Sequence, residues 1–137
     1  MRNVYIETSL LVDFIANKAP IAQDINILID MAKKREVYLY TSAISFVNLY
    51  NIISYKDPKG DALELLQKLS RAFEIIDVPK SAIKEALKSD FKDFEAAVQS
   101  FSLKLHPKIE MIVARQTKDF KLSDLPVFTT KQVFTEL

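Results

Sequence analysis

The chain has no cysteine, no tryptophan, one glycine and one histidine in 137 residues. Without cysteine there are no disulfides, thiol catalysis, zinc fingers or iron–sulfur ligation. A lone glycine excludes the dinucleotide fingerprint and the P-loop, which both need several glycines at fixed spacing. A lone histidine excludes a two-histidine zinc motif, and His106, followed by Pro107, reads as a turn residue. Charge of one sign is also missing: 19 Lys and Arg against 18 Asp and Glu leave a net charge of +1. Composition therefore does not mark a strongly basic nucleic-acid binder. The first apolar stretch carries Glu7 and Asp13 and is no signal peptide. The most apolar stretch, 37–55, is broken by Thr41, Ser42, Ser45 and Asn48, so it reads as a strand entering a buried helix rather than a membrane span. A cytoplasmic setting with no membrane partner is the expectation. The chemistry that survives is carboxylate chemistry, with or without a hard metal, or none.

What is present suits a folded protein: 49% of residues are hydrophobic and 27% charged. One domain over 1–137 is expected. Short apolar runs at 4–6, 37–40, 73–78, 111–114 and 127–128 read as buried strands. Between them, apolar residues recur at helical spacing. Thr8-Ser9 is expected to cap the first helix, Pro20 to open the second at its first position, and Ser42 to cap the third. That third helix carries Ile44, Val47, Leu49, Tyr50, Ile52 and Ile53, an apolar circumference expected at the centre of the fold. Further helices are expected over 81–88, 93–104 and 130–136, with a loop at Asp57-Pro58-Lys59-Gly60. Strands alternating with helices predict a three-layer α/β/α sandwich around a parallel sheet of about five strands. Ligands of such sheets bind beyond the carboxyl ends of the strands. That geometry nominates Glu7-Thr8-Ser9, the Thr41-Ser42 turn and the segment after Val113.

Four blocks carry a family resemblance: the opening Val4–Asp13, then Ser42–Tyr50, Asp93–Gln99, and Ala114–Phe120 followed by Leu125-Pro126-Val127. In order and spacing they resemble a PIN domain, the fold of the toxin nucleases of bacterial toxin–antitoxin pairs. The resemblance implies a metal-dependent endoribonuclease acting on RNA, with Mg²⁺ or Mn²⁺ held by carboxylates at the strand ends. It also implies an antitoxin partner and a homodimer. Carried over by position, Glu7 stands where the family has its first Asp, and Ser9 where it has Asn. Asn48 stands at the second acid and Ala96 at the third. Gln116 stands at the fourth acidic or amide position, with Asp119 nearby. The resemblance thus points to Glu7, Asn48 and Asp119 as catalytic, and to Glu7, Asp93 and Asp119 as metal ligands. Ser9, Arg115, Gln116 and Lys118 are its candidates for contacting nucleic acid.

Each of these has a structural alternative. Glu7 suits a cap or a salt bridge as well as a ligand role, and Asn48 suits a satisfied buried amide. Asp93 suits a helix cap, and Asp119 a solvated loop. Asp93 and Ala96, three apart, share a helical face, while Glu95 is expected to point about a quarter-turn away. Asp13 is expected to reach Glu7 only through water. Because Ala96 supplies no ligand oxygen, metal affinity is expected to be weak, and the cofactor set is Mg²⁺ or Mn²⁺ or none. Two readings follow: a toxin-type endoribonuclease with a reduced, degenerate acid set, or an inactive PIN-like module for dimerisation, partner binding or RNA binding.

Overall fold

The computed structural model describes residues 2–137. The elements in chain order are β1 (Arg2–Ile6), α1 (Thr8–Ile15), α2 (Ile21–Lys33), β2 (Val37–Ser42), α3 (Ala43–Lys56), α4 (Ala62–Ser70), β3 (Phe73–Ile76), α5 (Lys80–Lys88), α6 (Phe94–Leu103), β4 (Met111–Val113), β5 (Val127–Phe128) and α7 (Thr130–Val133). A 3₁₀ turn at Thr117–Phe120 lies between β4 and β5. The sheet order is β3-β2-β1-β4-β5, and every pairing is parallel. The expected α/β/α sandwich with a five-stranded parallel sheet is what forms.

Alternation along each strand builds the two apolar layers. Val4 and Ile6 of β1, with Val37, Leu39, Phe73, Met111 and Val113, face one side and meet α1, α2, α3, α4 and α7. Tyr5, Ile76 and Ile112 face the other side, where Ala96 and Leu103 of α6 cover them. Helix α5 packs on α6 rather than directly on the sheet, through Ala86, Ala97 and Val98. Central strands with both faces covered read as continuous apolar runs, which is why Val4-Tyr5-Ile6 and Met111-Ile112-Val113 were legible as buried strands.

Four local expectations are corrected. Helix α1 is capped by Glu7, not by Thr8-Ser9: the Glu7 carboxylate accepts from the Ser9 backbone N–H. Pro20 sits at the cap position of α2, one residue before the position expected, and Ser42 occupies the α3 cap position without a side-chain capping bond. Helix α3 is not enclosed. Ser45, Leu49 and Ile53 form its buried stripe, while Val47 and Tyr50 are 61% and 41% exposed. Its apolar outer face looks like core in the sequence because composition does not reveal how many neighbours a helix has. His106 forms a turn, as expected, donating to Leu103 and accepting from Ile109.

Candidate active site

The carboxyl ends of β1 and β4 lie side by side: Ile6 pairs with Val113, and the Glu7 N–H donates to the Val113 carbonyl at 3.1 Å. Above them opens a cleft of about 440 Å³. Glu7, Ser9, Asn48, Asp93, Ala96, Arg115, Gln116 and Asp119 all line it, so two strand ends, three helices and one 3₁₀ turn deliver eight of the nominated positions to one place. Lys118 does not line this cleft. It lies in an adjoining trough that shares Asp119 with it.

Glu7 is the fixed member, 6% exposed. One oxygen accepts from the Ser9 N–H at 2.9 Å; the other accepts from the Ser9 hydroxyl and from the Arg115 N–H at 3.2 Å. Burial raises its pKa above the ordinary carboxylate value, outweighing the opposing bonds from Ser9 and Arg115. The residue thus ties the start of α1 to the segment after β4.

Glu95 corrects the expectation that it points away. It lines the cleft and accepts a 2.6 Å hydrogen bond from the Asn48 amide. Helix α6 begins after Asp93, whose carboxylate accepts from the Ala96 N–H at 2.8 Å as an N-cap. The cap sets the phase of the first turn, and Glu95 then faces α3. Asp13 makes no direct bond to Glu7 and does not line the cleft. It is buried and bonds the Arg115 guanidinium, with Nη1 2.9 Å from both carboxylate oxygens. The guanidinium that the resemblance nominated for nucleic acid is therefore held by α1.

Beneath the floor lies a buried polar network that sequence reading missed. Tyr5 donates to Gln99 Oε1 at 2.6 Å, Thr8 and Ser45 hydroxyls meet at 2.7 Å, and Thr41 donates to the Ile6 carbonyl at 2.9 Å. Burial keeps the Tyr5 hydroxyl protonated well beyond the ordinary tyrosine range. The available signal was polar residues at positions otherwise apolar: Gln99 falls three residues after Ala96 on a buried helix face.

The donor set of the cleft is all oxygen, from Glu7, Asp93, Glu95 and Asp119 with Asn48 and Gln116. That chemistry suits a hard divalent cation. In this arrangement, among the described residues, no three acids or imidazoles stand close enough to share one ion. Asp93 is exposed, whereas Glu95 and Asp119 are half-buried.

The geometry defines a class: a parallel α/β/α protein with an acid-lined cleft at its strand ends. The sequence profile of the PIN domain matches residues 3–118, and the chain belongs to the PIN domain family. No curated protein matches it in sequence. Among solved structures, it is similar to a chain of VapBC2 from Rickettsia felis bound to a DNA fragment from their promoter. That likeness has a TM-score of 0.67 and 14% identity, covering 93% of this chain and 98% of the other. It is also similar to a toxin–antitoxin complex from Klebsiella pneumoniae, with a TM-score of 0.65, 19% identity, and 93% and 97% of the two chains covered. PAE2754 from Pyrobaculum aerophilum matches with a TM-score of 0.62, 11% identity, and 99% and 88% covered. At these identities the likeness is one of fold. No helix of the described residues is long and apolar enough to cross a membrane.

Proposed function

We propose that this PIN-domain chain is a toxin-type protein that acts on RNA as a metal-dependent endoribonuclease with a reduced acid set, and is therefore slow. The observation that carries this is the meeting of Glu7, Asp93, Glu95 and Asp119 on one cleft at the strand ends. Mg²⁺ or Mn²⁺ there would activate water and balance charge on the phosphate. Glu7, Glu95 and Asp119 would hold it only after their side chains turn from the present arrangement toward a common point, with Asp93 at the rim. Glu7 is pre-positioned by Ser9 and Arg115, and Asn48 orients Glu95. Ala96 contributes no oxygen, which lowers the charge available and hence the affinity. Ser9 and Gln116 offer neutral donors to RNA in the same cleft, and Arg115 adds positive charge beside it.

A second reading, a non-catalytic PIN-like module that dimerises, binds a partner or binds RNA, is favoured by Glu7 itself. Its oxygens are already engaged by Ser9 and Arg115, and burial disfavours its charge. Calorimetric titration with Mn²⁺ separates the two. Saturable heat that vanishes in Glu7→Ala and falls in Asp119→Ala supports the nuclease. A flat titration at about millimolar metal, the weak end of carboxylate sites, supports the module.

An antitoxin partner fits a surface path that leaves the cleft past Val12 and Ile52 and reaches a groove of about 610 Å³ walled by Phe14, Ile29 and Leu65. Lys33, Lys68 and Arg71 rim that groove, so an amphipathic segment with acidic residues is the matching chemistry. Exposed Val47 and Tyr50 on α3 support a homodimer, which sedimentation of Val47→Glu against the native chain tests.

A further inference from the structure

A second cavity, of about 270 Å³, lies on the α6 side of the sheet, between α6, the His106 turn and the loop before β5. Its walls include Phe91 and Phe101, whose rings meet edge-to-face at 5.8 Å. In it stands Ser100, 6% exposed, and its hydroxyl is the one buried side-chain polar atom among the described residues without a hydrogen-bond partner. A buried hydroxyl without a partner is costly and calls for one. The largely exposed Lys104–Asp124 ion pair at 3.5 Å stands at this cavity, and the Lys104 ammonium also lies 4.9 Å from the centre of the Phe101 ring, which leaves Phe91 as the less encumbered aromatic wall. The volume is below the roughly 300–1,000 Å³ of drug-sized sites and suits one flat heterocycle.

The cavity borders on a trough that borders in turn on the acid cleft. A trough carrying Lys92, Lys118 and Lys121, with Asp90 and Asp119 beside them, shares Asp119 with the cleft and Phe91 and Leu122 with the cavity. A lysine-bearing trough between an acid site and an aromatic cavity matches a single strand in chemistry: phosphates track cations, and unstacked bases go to aromatic faces. We propose that this cavity receives one unstacked base of a single-stranded RNA whose backbone crosses the lysine trough from the acid cleft. The Ser100 hydroxyl, able to donate or accept, meets the base edge. This rests on the reading of the chain as an RNA-acting protein and adds to it a base subsite remote from the cleft.

The test is fluorescence anisotropy with a fluorescein-labelled single-stranded RNA of about ten nucleotides, in EDTA so that cleavage plays no part. Ser100→Leu fills the cavity, and Ser100→Ala, which any helix accepts, removes only the hydroxyl. Lys118→Ala with Lys121→Ala removes trough charge. The expected result is about tenfold weaker binding for Ser100→Leu and a smaller loss for Ser100→Ala. The lysine pair should lose affinity with a shallower salt dependence. If the native chain binds RNA and both Ser100 variants bind equally well, the base subsite is wrong while the RNA reading stands. If the native chain binds no RNA even at low salt, the RNA reading fails and the subsite falls with it.

Discussion

Removing the Arg115 side chain should destabilise the protein through what it leaves behind. Asp13 is 3% exposed at its side chain, whereas that of Arg115 is 42% exposed. The other cation near Asp13 is Lys18, at 3.9 Å and well exposed. Exposed ion pairs contribute roughly 0.2–1 kcal/mol, whereas truncating one partner of a fully buried pair costs about 3–5 kcal/mol. A pair with one buried and one half-exposed member lies between, so Arg115→Ala should lose about 2 kcal/mol. With an unfolding entropy of about 2.1 cal/mol/K per residue, that loss lowers Tm by about 7 °C. Thermal unfolding followed by circular dichroism measures it. The Arg115 N–H to Glu7 is retained in the variant, so the change reports the guanidinium alone. Asp13→Asn combined with Arg115→Ala should recover at least half of the loss, because no buried charge then remains. An Arg115→Ala variant within about 0.5 kcal/mol of the native chain, or a double variant no more stable than the single, would show that Asp13 is better solvated than its burial implies.

Three further outcomes are expected. Glu7 has a folded-state pKa above its unfolded value of 4.5, so the native state binds the proton more tightly and stability falls as pH rises through the raised pKa. Glu7→Gln should therefore gain on the native chain in urea midpoint as pH rises above the unfolded value of 4.5, and a constant difference would refute burial as the dominant cause. Ala96→Asp should tighten Mn²⁺ binding in calorimetry by about tenfold or more, since ligand charge tunes affinity, and an unchanged isotherm would mean that the cleft is wrong for metal beyond one missing oxygen. Tyr5→Phe removes a buried 2.6 Å bond and leaves Gln99 underused, so denaturant unfolding should show a loss of about 1–3 kcal/mol; a neutral result would mean that Gln99 finds another donor.

The elements were legible where burial is two-sided. Val4–Ile6 of β1 and the whole of β4 are apolar and buried on both faces, and a parallel sheet follows from the alternation of strands with helices. Less legible was anything set by a third element. Whether α3 is enclosed depends on neighbours that its own sequence does not specify, and Val47 and Tyr50 look like core until those neighbours are placed. In the cleft, the position of Ala96 could be read from pattern, but the direction of Glu95 could not. It depends on Asp93 capping α6 and on Asn48 arriving from α3 to bond it. Likewise Asp13 and Arg115 are 102 residues apart in sequence, and no local rule pairs them.

These unread contacts decide what the cleft can do. On the proposed reading, metal must compete at Glu7 with the bonds that also cap α1 and join β1 to the segment after β4. Binding there is then coupled to the order of the α1 start: a ligand that draws the Glu7 carboxylate outward takes the cap from Ser9. The positive end of the α1 dipole favours the carboxylate charge, and burial opposes it, with burial prevailing. Asp119 and Asp93 have no such duty across elements, so they can turn toward an ion at less structural cost. Weak affinity would follow from this arrangement even with four acids in the cleft, because the best-placed acid is also the one doing the most to hold the fold.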